Sequence, residues 1–579
     1  MKKALIPVLA ALFFLPCLAQ EEGIFNTITN DTFWKNTSGG YIYSQGGGIF
    51  RFTEPSDGKE YYFWYGVKYQ EAVDYCPKAL AGSKSNITNF VSVTCYRSED
   101  LVNWTFVKDV LTTSAFNGHD WAWWVGRLGV AYVPEAQKYA LFVQYNSKVG
   151  VFTCDKPAGS YTYHQEIDMT SRIGTSNTGD QTVFTDDDGQ SYLCYSYGSG
   201  RGKIYLSKIG VESSGKIGLL DVNQIYKGSG REGDCMFKYQ GKYYVCASDL
   251  YGWNASNVYY LESSNIYGPY TPTNNMQKMP GSEDDYGHVT QTGFFYTLKG
   301  TQQETVLYCG DRWAGFAGNG NGYNQWCPLS FVDGKPYFNS LSKWSLNAVT
   351  GEWRIEKGNN YVKNFSFDAD RVNIPSTNKP AQTYIKGWSF KVIKGNAIVQ
   401  GGADSPVLNA NNSSADRAYV MGNKCLNISD KTAFTRQIYQ QVKSAETLPL
   451  PDGTYELQAK VKCGSAFPTF YMYCQSPADT CRKDIHFGDG DWHTVKISDI
   501  RITGGKAEVG FYADGEADQW IHVDDVSLVL TEELTALDRP DSKAVEIHSD
   551  GLAVNLQGMP VDGSYRGIVV RHGRKFLQQ

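Results

Sequence analysis

Three polar residues recur at similar positions ahead of aromatic-rich segments. Asp180, Glu232 and Gln291 lie 11 to 14 residues before three successive segments of this kind. Two carboxyl groups that converge on one pocket can cleave a glycosidic bond, with one of them donating a proton to the leaving oxygen. Each acidic residue alone could equally form a turn or lie on the surface. Their repeated position indicates a shared catalytic site.

An internal repeat provides the elements that would position these residues. Aromatic-rich segments begin at Tyr61, Tyr139, Tyr192, Tyr243 and Thr305, at intervals of 51 to 78 residues. Turn sequences containing glycine precede most of them, as in β-hairpins. Five such repeats predict an all-β fold with a five-bladed β-propeller. Because a propeller brings the start of every innermost strand to the axis, the three polar residues should meet there.

Composition narrows the class of ligand. The chain has 579 residues, a net charge of −6, 14% aromatic and 20% charged residues. This composition suits short strands and argues against a helical bundle or a nucleic-acid-binding surface. Aromatic side chains fill β cores, but their faces also stack on sugar rings. We expect an oligo- or polysaccharide substrate, no nucleic acid, no catalytic cofactor and a monomeric protein.

The N-terminus predicts export. Residues 1–19 combine Lys2 and Lys3 with an apolar run and a small residue, Ala19, as in a cleaved secretory signal peptide. Lipidation at Cys17 is the alternative. No later apolar run in the sequence has the ~18 residues that a membrane helix needs. The expected location is therefore secreted or periplasmic. Twelve cysteines remain without a Cys-x-x-Cys pair, so a zinc site is not expected.

Residues 25–350 resemble glycoside hydrolase family 43. The resemblance rests on segments 46–50, 62–66, 100–104, 187–189, 231–232 and 310–313, in this order and at this spacing. It implies a five-bladed propeller and hydrolysis with inversion of the anomeric centre. It also implies that Glu232 is the general acid, and that Asp180 adjusts the pKa of that acid and holds it in place.

Blade one departs from the family pattern. Glycines occupy positions 46–48, where the family usually places an aspartate that activates water. The resemblance therefore narrows to the branch of exo-β-1,3-galactanases, in which a fifth-blade glutamine orients the water; here this is Gln291. That branch carries Glu-Arg where this chain has Gly126-Arg127, which leaves α-L-arabinofuranosidase activity open. Glu71 and Asp120 are candidate replacement bases.

The expected substrate contacts are aromatic and polar residues near the strand starts. They are Gln45, Trp64, Trp124, Arg127, Trp253, Arg312 and Trp313.

Composition changes after about residue 360. We expect the propeller to span residues 20–360, a jelly-roll carbohydrate-binding domain residues 361–534, and a short β-hairpin tail residues 535–579. The resemblance of the second segment to such modules rests on its first strand, near Asn364–Asp368, and its last, Trp520–Leu528. Asp368 and Asp525 are the candidate ligands of a structural Ca²⁺, because oxygen donors suit this ion. A domain that only supports the propeller is the alternative.

Two functional classes remain. The first is an exo-acting glycoside hydrolase that removes galactose from arabinogalactan-type glycans. The second is an inactive glycan-binding propeller, suggested by the missing first-blade base. The carboxyl pair favours the enzyme, because binding alone would not require it.

Overall fold

The computed structural model describes residues 23–76, 89–116, 125–145, 148–313, 323–369, 383–399, 402–445 and 447–534, with the backbone of four short strands beyond them. Most elements in these ranges are strands. The α-helices are α1 (Gln70–Tyr75), α2 (Thr170–Ile173) and α3 (Tyr286–Val289), and short 3-10 helices span Thr113–Phe116 and Asp416–Ala418. Across these ranges, no helix has both the length and the apolar character required to cross a membrane.

Five antiparallel sheets follow one another along the first part of the chain, after strand β1 (Phe25–Thr29). Blade one comprises β2 (Gln45–Thr53), β3 (Glu60–Tyr69), β4 (Phe90–Ser98) and β5 (Thr105–Thr112). Blade two comprises β6 (Val125–Val133), β7 (Lys138–Tyr145), β8 (Lys148–Cys154) and β9 (Thr162–Glu166). Blade three comprises β10 (Thr178–Thr185), β11 (Ser191–Tyr197), β12 (Lys203–Val211), β13 (Ile217–Leu219) and β14 (Asn223–Lys227). Blade four comprises β15 (Glu232–Tyr239), β16 (Lys242–Ser248), β17 (Tyr259–Ser263) and β18 (Gln277–Lys278). Blade five comprises β19 (Gln291–Lys299), β20 (Glu304–Arg312), β21 (Tyr323–Val332) and β22 (Lys335–Phe338).

The innermost strands close a ring. Contacts run from β2 to β6, β10, β15 and β19, and from β19 back to β2. This arrangement confirms the predicted propeller. Each aromatic-rich segment forms the second strand of its blade, as expected. Strands β15 and β16 are joined by Gln240 and Gly241, both with positive φ, which is the two-residue hairpin that glycine favours.

A small sheet connects the two ends of the propeller. Strand β1 pairs with β23 (Lys343–Asn347), which pairs with β24 (Trp353–Ile355). Since β1 precedes the first blade and β23 follows the last, this sheet ties the beginning of the ring to its end.

A two-sheet sandwich follows, with five strands in each sheet. One sheet has the order β25 (Ser389–Lys394), β28 (Phe434–Lys443), β33 (Lys506–Gly515), β30 (Thr469–Gln475) and β31 (Thr480–Asp484). The other has the order β26 (Asn409–Asn411), β27 (Lys424–Ser429), β34 (Trp520–Glu533), β29 (Gly453–Cys463) and β32 (Trp492–Ile502). Alternate residues of β29 are buried along its whole length, as expected for a strand with one face in a core. Beyond the sandwich, β35 (Ala553–Asn555), β36 (Pro560–Val561), β37 (Gly567–Arg571) and β38 (Arg574–Gln578) form a four-stranded sheet.

Candidate active site

All five innermost strands carry a β-bulge near their first residue. The regular pairing with the second strand is interrupted after Gln45, Val125, Thr178, Glu232 and Gln291. A bulge turns side chains away from the regular alternation and is common next to active sites. The repeated bulge explains how the strand starts present several side chains to one central region.

The bulges also show which of the predicted catalytic residues occupy equivalent positions in their strands. Glu232 and Gln291 occupy the same position, the last paired residue before the bulge. Asp180 instead lies within the bulge of β10, at the position that Arg127 takes in β6 and Asp234 in β15. The three predicted catalytic residues therefore come from two structural positions. Counting back from the second strand misaligned them, because the hairpin of blade three spans residues 186–190 whereas that of blade four has only residues 240–241.

Asp180 and Glu232 share one arginine. Arg201 Nη1 lies 2.8 Å from Glu232 Oε2 and 3.4 Å from Asp180 Oδ1. Asp180 Oδ2 also accepts a hydrogen bond of 2.8 Å from the backbone N–H of Gly233. Gly233 has a φ of +66°, a conformation that glycine adopts at little cost. The two carboxyl groups are thus held together on neighbouring blades.

Arg127 of blade two connects to blades three and five next to this pair of carboxyl groups. Its Nε lies 3.3 Å from Asp180 Oδ2, its Nη1 lies 3.2 Å from Asp311 Oδ2, and its Nη2 donates over 2.9 Å to Gln291 Oε1. The arginine side chain is buried, so these contacts satisfy a charge that would otherwise be costly. Asp311 also accepts from the backbone N–H of Gly46 at 3.3 Å, which links blade five to the glycines of blade one.

The amide of Gln291 has a defined orientation. Its Oε1 accepts from Arg127 Nη2 and, over 2.8 Å, from Trp313 Nε1. Its Nε2 donates over 3.0 Å to Glu232 Oε1. Both lone pairs of the amide oxygen are taken, so this oxygen is not positioned to accept from an attacking water as expected from the sequence. The structure gives Gln291 a donor contact with Glu232.

The environments of the two carboxyl groups push their pKa values apart. Burial, together with the nearby Asp180 anion, raises the pKa of Glu232 to about 7. Burial also opposes ionisation of Asp180, but Arg201 and Arg127 outweigh it and lower the pKa of that carboxyl. A protonated glutamic acid beside an ionised aspartate is an arrangement suited to acid catalysis near neutral pH.

Two further buried carboxyl groups surround the pair, and the sequence analysis assigned neither. Burial raises the pKa of Asp311 to about 6, although Arg127 opposes the change. Burial and the Asp180 charge raise the pKa of Asp234 well above its usual value. Asp311 lies within segment 310–313, on which the family resemblance partly rests, so the sequence did contain a signal for this residue. Asp234 follows Glu232 by two residues in the same strand, and the alternation of residue types in the sequence did not indicate that its side chain is buried.

Of the predicted substrate contacts, Trp253, Trp313 and Arg127 belong to this region. The rings of Trp253 and Trp313 meet edge to face at 4.9 Å, and the Arg127 guanidinium lies 5.7 Å from the Trp313 ring. Trp253 is only partly buried, so its ring can offer a surface to a sugar. Gln45 begins β2 and is buried beside Gly46. Trp124 lies outside the described residues.

Two predicted substrate contacts are wrong. Trp64 is fully buried between blades and packs against Trp104 and Trp326, with ring centroids 5.3 and 4.8 Å away. Arg312 is also fully buried, on the opposite strand face from Asp311, and pairs with Asp31 and Asp368. Neither side chain is accessible to a sugar.

The two alternative bases have different outcomes. Glu71 lies on α1, and its carboxylate accepts from the backbone and side-chain amides of Asn89. Those contacts hold it in the loop region that follows blade one's second strand. Asp120 lies outside the described residues.

The predicted Ca²⁺ ligands do not fit a cation. Asp368 is fully buried, and its oxygens accept from Arg312 Nη2 at 2.6 Å and from the backbone N–H groups of Asn423 and Lys424. Asp525 accepts from the backbone N–H of Met421. These donors carry positive charge toward the oxygens that would bind the ion. Within the described ranges, no group of three or more His, Cys, Asp or Glu side chains is arranged to hold a metal.

Solved structures with some similarity to the chain include several glycoside hydrolases. An exo-β-1,3-galactanase from Phanerochaete chrysosporium with β-1,3-galactotriose is 20% identical, covering 86% of this chain and 100% of the other, at a TM-score of 0.47. An exo-β-1,3-galactanase from Clostridium thermocellum is 18% identical, covering 87% of this chain and 99% of the other, at a TM-score of 0.49. An arabinoxylan arabinofuranohydrolase from Bacillus subtilis is 15% identical, covering 84% of this chain and 96% of the other, at a TM-score of 0.34.

No curated protein matches the chain. The sequence does match a family model, described as glycosyl hydrolases family 43, over residues 82–325. This segment runs from blade one into blade five and includes Asp180, Glu232 and Gln291. Residues 82–325, which include most of the propeller, therefore match the glycosyl hydrolases of family 43.

Proposed function

We propose that the protein is an exo-acting, inverting glycosidase that removes terminal galactose from β-1,3-linked galactan or a related glycan. The observation that carries the proposal is the pair of adjacent carboxyl groups with separated pKa values, Glu232 raised to about 7 and Asp180 lowered. The choice of galactose rests on glycines 46–48, which replace the usual first-blade aspartate, and on Gln291 in blade five.

In the proposed reaction Glu232 is the general acid and Asp180 remains ionised beside it. The glycosidic bond breaks as its oxygen takes the proton of Glu232, and a water oxygen bonds to the anomeric carbon from the opposite face. The water releases one proton to solvent, and Glu232 regains one before the next cycle. Gln291 acts by holding the acid in place through its Nε2 contact.

The second candidate is an α-L-arabinofuranosidase with the same catalytic residues. It is favoured by Gly126, which stands next to Arg127 where the galactanase branch carries a glutamate. Loss of that side chain removes one hydrogen-bonding group from the sugar site. The third possibility, a propeller that only binds glycans, would not require an acid whose pKa is raised to about 7.

A hydrolysis panel tests these candidates. We expect release of galactose from β-1,3-galactobiose and from an aryl β-galactoside, with no release of arabinose from an aryl α-L-arabinofuranoside. The Glu232→Gln variant on the same substrates is the control for contaminating activity. Release of arabinose alone would support the second candidate, and no release from any substrate would support the binding protein.

Two further features belong to the proposal. Residues 1–19 act as a cleaved signal peptide, so the enzyme works outside the cytoplasm on oligo- or polysaccharides. The β-sandwich contributes glycan binding, and binding of the isolated polysaccharide by a catalytically inactive Glu232→Gln protein tests this role.

A further inference from the structure

Every oxygen of the proposed general acid is in contact with a hydrogen-bond donor. Glu232 Oε1 accepts from Gln291 Nε2 at 3.0 Å and from the backbone N–H of Gly252 at 2.8 Å. Oε2 accepts from Arg201 Nη1 at 2.8 Å. A general acid must direct its proton at the glycosidic oxygen. Both acceptor positions of Oε1 are occupied, so the proton belongs on Oε2, which has one position open beside the Arg201 contact. The positive charge of Arg201 opposes protonation of that oxygen, so release of this contact favours the acid form.

Oε1 has two contacts, and Oε2 has one. Gln291 donates to Oε1 from a side chain whose own oxygen is fixed by Arg127 and Trp313. Gly252 donates a backbone N–H from the connection between β16 and β17. Releasing Oε1 would require both contacts to open, so Oε1 is the oxygen that stays bound.

The Oε2 contact comes from a side chain on a glycine-rich loop. Arg201 follows Gly200 and precedes Gly202, between β11 and β12, and has a φ of +44°. Its side chain is 26% exposed, compared with 9% for Glu232 and 12% for Asp180. Of the three charged groups, Arg201 is the one nearest to solvent.

Gly179 makes room for Ser196 and for this side chain. A Cβ atom at residue 179 would lie 1.9 Å from Ser196 Oγ, 3.1 Å from Arg201 Nε and 3.2 Å from Arg201 Cδ. The arginine therefore passes over a glycine to reach the two acids, and no backbone hydrogen bond of the blade has to break for it to leave.

We propose, on the basis of the function proposed above, that Arg201 covers Oε2 of Glu232 in the empty site and gives this oxygen up to the glycosidic oxygen when a sugar binds. Arg201 then sets the protonation of the acid. While it is in place, its positive charge favours the ionised carboxylate. When it moves away, Glu232 takes up one proton from solvent at Oε2 and becomes the acid. Sugar binding and protonation of the acid are thereby coupled.

The other charged groups that face Glu232 remain in place in both states. Asp180 faces it from β10, Arg127 from β6 and Asp234 from the bulge of β15 itself. Asp180 and Asp234 favour the protonated acid, whereas Arg127 opposes it. Arg201 is the most accessible of these described groups, so its movement is the change that a bound sugar can cause.

The sequence supplies a matched control. Gly198–Arg201 and Gly228–Arg231 both have the sequence Gly-Ser-Gly-Arg, and the backbone N–H of Arg231 donates to the carbonyl of Arg201. Arg231, however, pairs with Asp249 at 3.1 Å and lies 3.9 Å above the Tyr259 ring. It carries the same charge on the same kind of segment but does not contact Glu232 Oε2.

The experiment is a carbon-13 NMR titration of the full-length protein labelled at the glutamate carboxyl carbon, with Glu232→Gln used to assign the signal. Without sugar, Arg201→Met should raise the pKa of Glu232 by about one pH unit, because a close cation is removed. Arg201→Lys should stay near the wild-type value, and so should Arg231→Met. Saturating galactose should raise the pKa in the wild type and leave it unchanged in Arg201→Met.

The outcomes separate this inference from the proposed function. Equal titration of Glu232 in the wild type and in Arg201→Met would overturn the role of Arg201, whatever sugar the enzyme cleaves. Bound galactose that leaves the wild-type pKa unchanged would also overturn it. If galactose does not bind, the proposed sugar specificity is wrong, and the titration without sugar still decides whether Arg201 controls the acid.

Discussion

Gln291 and Glu232, the first residues of neighbouring inner strands, are joined by a 3.0 Å hydrogen bond from the amide nitrogen to the carboxyl oxygen Oε1. Because Arg127 and Trp313 bind the amide oxygen, the nitrogen is fixed as the donor toward the acid. Blade five therefore orients the acid supplied by blade four.

Glu232→Gln should lower turnover of an unactivated galactoside by about 10²–10⁴-fold, the usual contribution of general acid catalysis. Substrate binding should persist, since the amide keeps the shape of the side chain. Steady-state kinetics on β-1,3-galactobiose provides the measurement. An aryl galactoside with a strongly acidic leaving group is the control, because it needs little protonation and should lose much less activity. Near wild-type turnover of the disaccharide would show that Glu232 is not the general acid.

The pH profile should report the acid directly. With the pKa of Glu232 at about 7, kcat/KM should fall as the pH rises through this value, since the proton donor is lost. The Asp180 anion raises that pKa, so Asp180→Asn should move the alkaline limb to lower pH by about one unit. Asp188→Asn, which removes the same charge from an exposed turn, should leave the limb in place. If the alkaline limb does not move in Asp180→Asn, the charge of Asp180 does not raise the pKa of Glu232.

Gln291→Ala should reduce turnover by about 10²-fold or more, because small displacements of a catalytic group are costly. The protein should still fold, with a modest fall in melting temperature because Arg127 and Trp313 each lose a buried acceptor. Kinetics per folded molecule, combined with thermal unfolding, distinguishes this role from a purely structural one. A large fall in melting temperature with turnover intact would make Gln291 a channel residue. In that case Glu232 would be held by its contacts with Gly252 and Arg201.

The propeller could be predicted because its signal repeats. Five aromatic segments, most of them preceded by turn sequences, define five blades, and the polar residues ahead of three of them fall in the central region. Residue counting could not allow for the length of each hairpin, because composition does not mark the residue at which a strand ends. It therefore treated Asp180 and Glu232 as equivalent positions, although the hairpin of blade three (186–190) is longer than that of blade four (240–241).

The errors in the substrate contacts have separate causes. Arg312 and Trp313 are consecutive in an extended segment, so their side chains point to opposite faces and both could not reach the sugar. That signal was present in the sequence. Trp64 was different, because an aromatic strand buried on both faces gives no alternation to separate pocket from core. Arg201 lies in a glycine-rich loop, and only folding brings it to Glu232, 31 residues later.

The product should appear first as the inverted anomer. A β-linked galactoside should release α-galactose, because water attacks from the face opposite the leaving group. Proton NMR of the anomeric region during the first minutes of hydrolysis measures this before mutarotation mixes the anomers. A retaining β-galactosidase run in parallel provides the reference for the other outcome. Early appearance of β-galactose would contradict inversion and would require a nucleophile within the site.

The link between the propeller and the sandwich yields a prediction for stability. Arg312 and Asp368 are both fully buried and lie 2.6 Å apart, and Asp31 holds the second guanidinium nitrogen at 3.3 Å. Asp368→Ala leaves the guanidinium partly unpaired inside the protein. Breaking one partner of a buried ion pair typically costs about 3–5 kcal/mol, whereas an exposed pair contributes about 0–1 kcal/mol. Asp484→Ala, which removes the exposed partner of Arg482, is the matched control.

Activity should fall together with stability in the Asp368→Ala variant. Arg312 lies between Asp311, which holds Arg127, and Trp313, which holds Gln291. Loss of the anchor on one face of this segment should loosen the two side chains on the other face. We expect a lower urea midpoint and a lower kcat/KM under conditions where the protein is still folded, with both unchanged in Asp484→Ala. If Asp368→Ala is as stable and as active as this control, the sandwich does not support the active site through Arg312.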